Sequence, residues 1–355
     1  MLRTAVGLYI QEISKYLANR ADLTLALSSS DIPRGKSLGK ILKLLPLPTF
    51  PAMRFYLNLV NHICKNQYDV VDLHDCPYLL LTSLLPDKLI RRTIVTPHFM
   101  TELFLRLRFS HPIHVVHDIV TALDAQYRLI AKYAVFVAIS EYMKNVIEQR
   151  WKAKRVVLIP NPIDTDLFRP LKVKPSVDSF PTLLFVGALR PSKGVEVLIL
   201  TMKYLMKKYP KPKLFIIGKG DVAKYVKLSR ALGVMDNVVF LGQASLHELV
   251  YMYNVCDIFV TASHWESFCR PIVEAMSCGK PVVCRDVYAC SEHIRNSGAA
   301  VGFKSDDPDE IVWAIENVLK DYNQMSENAR RYALKFESSK IAERWFHLYK
   351  ILAGA

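Results

Sequence analysis

What most constrains this chain is a rhythm that runs through it twice. Short β-rich runs alternate with segments of helical periodicity: Tyr68-Asp69-Val70-Val71-Asp72-Leu73-His74, Thr93-Ile94-Val95-Thr96, Val135-Phe136-Val137-Ala138-Ile139 and Arg155-Val156-Val157-Leu158-Ile159. The rhythm stops at Asn161–Pro181, a stretch rich in proline and polar residues. It restarts with Leu183–Gly187, Lys213–Gly218, Val238–Gly242 and Asp257–Thr261, the first three ending at glycine. Strands alternating with helices build a parallel sheet covered on both faces. The expected fold is α/β, with two doubly wound parallel-sheet domains over 1–175 and 176–337 and a closing helix over 338–355. At 355 residues each domain has chain enough to bury its own core.

Periodicity also predicts helices at 7–19, around Phe55–Ile63, at Pro77–Leu85, Tyr142–Gln149, Val195–Lys208 and Leu246–Tyr253, and a strand over Leu23–Leu27. The closing helix spans Ser338–Leu352. In such domains ligands gather at the carboxyl ends of the strands.

The densest stretch is Ser263–Pro281. It lies between the apolar runs Asp257–Ala262 and Val282–Cys284, with Pro271 fitting a first helical turn and Gly279 the left-handed position past the last. A strand, loop, helix and strand in that order open a helix N-terminus at the sheet's carboxyl edge, where free N–H groups favour anions. Glu266 in the loop and Glu274 in the helix are not needed by a phosphate, so they are assigned to hydroxyls. A sugar nucleotide offers hydroxyls on either side of a diphosphate. Lys193, in a loop between a strand and a helix, is placed to neutralise that diphosphate as it leaves.

The same stretch resembles the retaining glycosyltransferases of family 4, whose two glutamates lie in the setting Ser-x-x-Glu-Gly-Phe-Gly…Glu-Ala-Met-x-x-Gly-x-Pro-Val-Val. Ser263, Glu266, Phe268, Glu274, Ala275, Met276, Gly279, Pro281, Val282 and Val283 match, while Ser267 and Cys269 replace the two family glycines. The likeness extends over almost the whole chain. Tyr9–Leu17 resembles the family's first helix. Ile159–Pro170 resembles its interdomain signature, with Pro162 where glycine is usual. Phe185-Val186-Gly187 through Lys193-Gly194 resembles the opening of the donor domain, with Ala188 where the family has arginine and Arg190 two positions on.

The resemblance implies a GT-B fold, two Rossmann-like domains facing a cleft, and a retaining, metal-independent transfer of a hexose from a nucleoside diphosphate sugar. It implies that Glu266 meets the donor sugar, Glu274 the ribose, and His98, at a strand's carboxyl end, the reacting centre. Gly187, Arg190, Lys193, Gly218, Lys219, Ser267, Phe268 and Cys269 complete the expected donor site, with His74 behind His98 and the backbone after Gly242 at the nucleobase. His264 has no evident role, and Glu292 falls where the family has a frequent structural glutamate. No cofactor or metal is expected, lysine and helix N–H groups doing what a divalent cation does elsewhere.

A formal net charge of +14 favours anionic partners, but no zinc-finger spacing or RNA-binding aromatic motif accompanies it, so nucleic acid is not expected. The acceptor, a glycan or lipid, is assigned to the N-terminal domain. There Arg34, Lys36, Lys40 and Lys43, interleaved with Leu38, Ile41, Leu42, Leu44 and Leu45, and the run Leu103–Phe109 are two basic-apolar stretches suited to an anionic membrane surface or to ordinary burial. Scattered cysteines, no apolar run of transmembrane length and no signal-like start point to the cytoplasm, with peripheral attachment to the membrane's inner face as the alternative. Two rival readings stay open: a catalytically silent GT-B domain that binds sugar nucleotide or a partner, motivated by the lost glycines and Ala188, and a sugar-nucleotide epimerase on the same fold. Finally, family enzymes begin with a strand and a glycine-rich loop, whereas only Met1–Val6 precede Gly7. The expectation is a truncated start, with an empty lane in the first sheet between Leu23–Leu27 and Val70–Leu73 and weakened donor binding.

Overall fold

The computed structural model describes residues 12–17, 20, 22–26, 40–44, 60–65, 68–74, 84–98, 125–173 and 179–354. The chain divides into two compact units, Met1–Pro162 with Ser338–Ala355, and Ile163–Glu337.

The first unit holds a parallel sheet of β1 (Asp22–Ala26), β2 (Lys40–Leu44), β3 (Val70–His74), β4 (Thr93–Thr96), β5 (Val135–Ala138) and β6 (Val156–Leu158). These strands lie side by side in chain order. Residues 12–17 and the helix Ser338–Ala353 cover one face, where Ile13, Leu17, Ile341, Trp345 and Leu348 pack with Val70, Ile94, Val135 and Val137. Arg20 pairs with Glu343, and Ser338 donates to Glu12 at 3.3 Å, so the two ends of the chain share one layer.

β2 corrects two expectations at once. The lane between β1 and β3 is not empty: Lys40–Leu44 fills it, paired in register with both neighbours. A vacant central lane would leave two rows of backbone N–H and C=O groups without partners, so a nearby apolar run of sufficient length is drawn into it. For the same reason Lys40–Leu44 is an interior strand rather than a membrane-facing segment, while Arg34, Lys36, Leu38 and Leu45 of that stretch lie outside the described residues. Met1–Val6, the helix at Pro77–Leu85 for the most part, and the second basic-apolar run Leu103–Phe109 lie outside the described residues. Among the described residues no helix is long and apolar enough to cross a membrane.

The second unit begins at Ile163, not near 175. Ile163 N–H bonds the Phe336 carbonyl at 2.7 Å, Arg330 donates to the carbonyls of Thr165 and Phe168, and the Asn254 side chain holds both Arg169 and Leu171. The proline-rich stretch thus starts as part of this unit's own packing. Its sheet contains β7 (Thr182–Val186), β8 (Lys213–Ile217), β9 (Val238–Gly242), β10 (Ile258–Thr261), β11 (Val282–Arg285) and β12 (Ala300–Phe303). All are parallel, in the order β12-β11-β10-β7-β8-β9. Leu183, Phe185, Leu214, Ile216, Ile258 and Val260 pack against Val195, Leu198, Ile199 and Met202 of the helix Val195–Leu205 and against Ile311 and Ile315 of the helix Pro308–Lys320. Local sequence sets the helix starts: Asp221 accepts from Lys224 N–H, and Ser245 with Glu248 forms a reciprocal capping box for Leu246–Val255.

Candidate active site

The strand order of the second sheet runs one way from β7 through β8 to β9 and the other way from β10 to β12. β7 and β10 are therefore the strands at which it reverses, and the loops leaving their carboxyl ends diverge around a crevice, the usual ligand position in this architecture. Lys193 stands on the first loop and Glu266 on the second. Lys193 Nζ lies 2.8 Å from Glu266 Oε1, with both side chains about one-sixth exposed at 17% and 16%. Two residues far apart in sequence, each singled out for donor chemistry, are thus brought together at the switch point.

Backbone contacts tie the surrounding loops to one another. His264 N–H donates to the Ser192 carbonyl at 2.9 Å, a backbone bond that joins the two switch-point loops. Leu189 N–H donates to Lys219 O at 2.7 Å and Gly218 N–H to Gly242 O at 2.7 Å. A side chain on Gly218 would overlap the Gly187 carbonyl, so the glycine pair serves the close passage of β7 and β8. Gly194, at φ +64°, ends the short 3-10 turn Pro191–Lys193 and lies against the Ala262 carbonyl, which excludes any side chain there. Arg190 is half-buried and Lys219 exposed, both on the rim of this loop cluster.

After Glu266 the loop enters the helix Arg270–Ser277 through Cys269, held at φ 58°, a left-handed conformation uncommon for a residue with a side chain. Ser267 is partly exposed, and Phe268 is buried with its ring edge-on to His293 and Phe336. Within the helix, Glu274 is only 4% exposed; it accepts from Arg270 Nε at 2.7 Å and from Tyr253 OH at 3.0 Å. Burial, then the Glu274 charge, push the Tyr253 phenol well above its ordinary range, so it stays a donor. The acid expected at a ribose is therefore engaged by two donors of its own domain.

The sequence reading missed His293. Its Nε2–H donates to the Phe268 carbonyl at 2.6 Å, and its Nδ1 lies 3.1 Å from Tyr332 OH. It thereby fixes the loop residue between Glu266 and the helix. Burial lowers its pKa to about 4, against the smaller raising effect of the Phe268 bond. The signal was present: Ala289, Cys290, His293 and Ser297 form the buried stripe of the helix Tyr288–Ser297. Trp265 was also missed; its indole N–H is buried without an acceptor among the described residues.

Two model families match the chain in succession: one described as Glycosyltransferase Family 4 over residues 6–167, and Glycosyl transferases group 1 over 171–335. The chain belongs to the family 4 type of GT-B glycosyltransferases.

Among curated relatives, an uncharacterized glycosyltransferase of Methanocaldococcus jannaschii is 34% identical over 179 residues, covering 49% of this chain and 46% of that protein. A D-inositol 3-phosphate glycosyltransferase of Corynebacterium diphtheriae is 31% identical over 179 residues, covering 47% and 42%. The chain thus spans less than half the length of either. Among solved structures, sucrose-phosphate synthase from Thermosynechococcus elongatus superposes with a TM-score of 0.75 at 18% identity, covering 98% of this chain and 94% of that one. Anabaena HepE in complex with UDP-glucose gives 0.70 at 17%, covering 98% and 95%. These likenesses establish the shared GT-B fold.

Among the departures from the family pattern, Cys269 has a local cause. The Cys269 thiol is buried, and its hydrogen bond to the Cys290 thiol, then burial, push its pKa well up. It is a packed, protonated side chain rather than a nucleophile. Two Asp-x-Asp spacings occur, Asp164-Thr165-Asp166 and Asp307-Pro308-Asp309, and both serve the backbone. Asp164 accepts from Leu167 N–H and Asp307 from Asp309 N–H, each at 3.0 Å. Among the described residues no group of three His, Cys, Asp or Glu side chains is arranged to hold a metal ion. In the first unit His98, 4% exposed, lies just beyond β4, with its Nε2 2.9 Å from Nδ1 of His74.

Proposed function

We propose that this chain is a retaining, metal-independent glycosyltransferase that moves a hexose from a nucleoside diphosphate sugar to a glycan or lipid acceptor. The observation that carries the reading is the Lys193–Glu266 pair at the switch point of the second sheet. An ammonium there meets the diphosphate, which strengthens as an acceptor when the bond to the sugar breaks. A carboxylate beside it accepts from the sugar hydroxyls. Donor binding redirects Lys193 from Glu266 to the diphosphate and leaves Glu266 to the sugar. UDP-glucose bound to a solved structure of the same fold supports a nucleotide sugar as the ligand class. Retention, metal independence and the placing of His98 at the reacting carbon rest on the family resemblance.

One observation favours the silent-domain reading: Glu274 is already satisfied by Arg270 and Tyr253. Calorimetric titration with UDP, GDP and ADP, followed by turnover of the matching hexose donors, separates the two. Active chain binds one diphosphate and releases it from its sugar. Lys193→Met then weakens diphosphate binding tenfold or more, the worth of one charge-assisted contact. Glu266→Gln leaves that affinity within about threefold and abolishes turnover, as expected for a contact to the sugar alone. Diphosphate binding with no turnover of any donor supports the silent domain, and equal affinity losses in both variants refute the division of roles.

A further inference from the structure

A buried column of side chains stands behind His98. Asp72 and His74 are two residues apart on β3 and so project from the same face of the strand. His74 is in register with Thr96 of β4, which places His98, two residues further on, directly above it. The two imidazoles are stacked, with centroids 5.2 Å apart and 25° between planes. His74 Nε2 lies 3.2 Å from Asp72 Oδ2, and the same oxygen accepts from Tyr349 OH at 2.7 Å. Tyr349 comes from the helix Ser338–Ala353, which also lays Trp345 against the His74 ring at 6.0 Å. Asp72 and His74 are fully buried.

Two hydrogen bonds link the protons of the two rings. A carboxylate only accepts, so His74 carries a proton on Nε2. In that tautomer His74 has its lone pair on Nδ1, and the proton between the rings belongs to His98 Nε2. His98 is thereby fixed as the Nε2–H tautomer, with Nδ1 an acceptor.

We infer that Asp72 and His74 are positioning residues of the transfer reaction, which set the tautomer and orientation of His98 so that its Nδ1 accepts from the donor sugar. The inference rests on the proposed role of His98 at the sugar. Without the carboxylate, both rings are free to shift their protons, and His98 presents an N–H where an acceptor is required. Wrong-tautomer loss of this kind is known from Ser-His-Asp triads when the aspartate becomes asparagine. Tyr349 holds the carboxylate from the far end of the sequence.

Histidine-selective ¹⁵N labelling of the whole chain, read by long-range proton–nitrogen correlation at pH 8, tests this without any ligand. His74→Gln and His98→Gln assign the two rings by loss of signal. The expected result is Nε2–H for both rings in the unaltered protein, with His98 moving wholly or partly to Nδ1–H in Asp72→Asn. A His98 that is Nδ1–H from the start, or unmoved by Asp72→Asn, overturns the inference; a merely structural Asp72 gives the latter. If Asp72→Asn does not fold, the spectrum of the unaltered protein decides alone. With the donor found by the turnover screen, Asp72→Asn should lower kcat about tenfold or more and leave diphosphate affinity unchanged. A moved tautomer with unchanged kcat would keep the positioning and refute the placing of His98 at the sugar.

Discussion

Lowering the pH from 7.5 to 5.0 should cost the Ile163–Glu337 unit about 2 kcal/mol through one side chain, His293. Its folded pKa, lowered by burial to about 4, lies below the ordinary value of 6.5. The unfolded chain therefore takes up a proton across this range that the folded chain does not, and stability falls as pH falls. The contribution is fully present above about pH 6.5 and is lost progressively towards pH 4. At pH 5.0 the unfolded ring is almost wholly protonated and the folded one about one-tenth so, which gives the figure above. The control is His293→Gln, whose amide can donate to the Phe268 carbonyl in place of Nε2–H but does not titrate. Guanidinium unfolding followed by tryptophan fluorescence is a suitable assay, since Trp265 and Trp313 both belong to this unit. The unaltered protein should lose about 2 kcal/mol more than His293→Gln between the two pH values, or roughly 4–8 °C in Tm for a domain of this size. Equal losses in the two proteins would refute the claim that His293 is neutral in the fold.

Two further outcomes follow from the same loop. Arg270→Met should destabilise the unit by about 3–5 kcal/mol, because it leaves the buried Glu274 carboxylate with Tyr253 alone, and Arg270→Met with Glu274→Gln should recover most of that loss in denaturant unfolding. Gly194→Ala should cost about 2 kcal/mol or more and weaken diphosphate binding, because its side chain meets the Ala262 carbonyl beneath Lys193. Gly233→Ala, at φ +70° with open space around it, should cost only the left-handed penalty of about 1 kcal/mol and leave binding unchanged.

The second unit was legible because its strands are compact β-rich runs with glycine at three of their ends, and the structure places β7 to β10 within a residue or so of where the pattern does. Lys193 and Glu266 could be chosen for their chemistry, but their 2.8 Å approach depends on which strands are neighbours, and strand order is not written in any local period. Arg270 shows the opposite failure. No motif assigned it a role, and only the fold reveals that it spans one helical turn to reach Glu274. β2 was misread because Lys40 and Lys43, three residues apart, suggest a helical face as readily as a strand. What placed it in the sheet was the vacancy between β1 and β3, a property of the assembled domain rather than of the segment. His293 was visible as an inward helix position, yet nothing in its spacing pointed to the carbonyl of Phe268, 25 residues away.

The layer shared by residues 12–17 and 338–353 bears on the order of events at the ribosome. The first unit is interrupted in sequence: Trp345 and Tyr349, which lie over His74 and Asp72, are synthesised only after all of Ile163–Glu337. Until they emerge, one face of the first sheet, with Val70, Ile94, Val135 and Val137, lacks most of its cover. The contiguous second unit draws on no later segment for its own core. A chain cut just past Glu337 would therefore keep the second unit's own contacts beside an N-terminal sheet with an exposed apolar face, a surface suited to chaperones that hold unfinished domains.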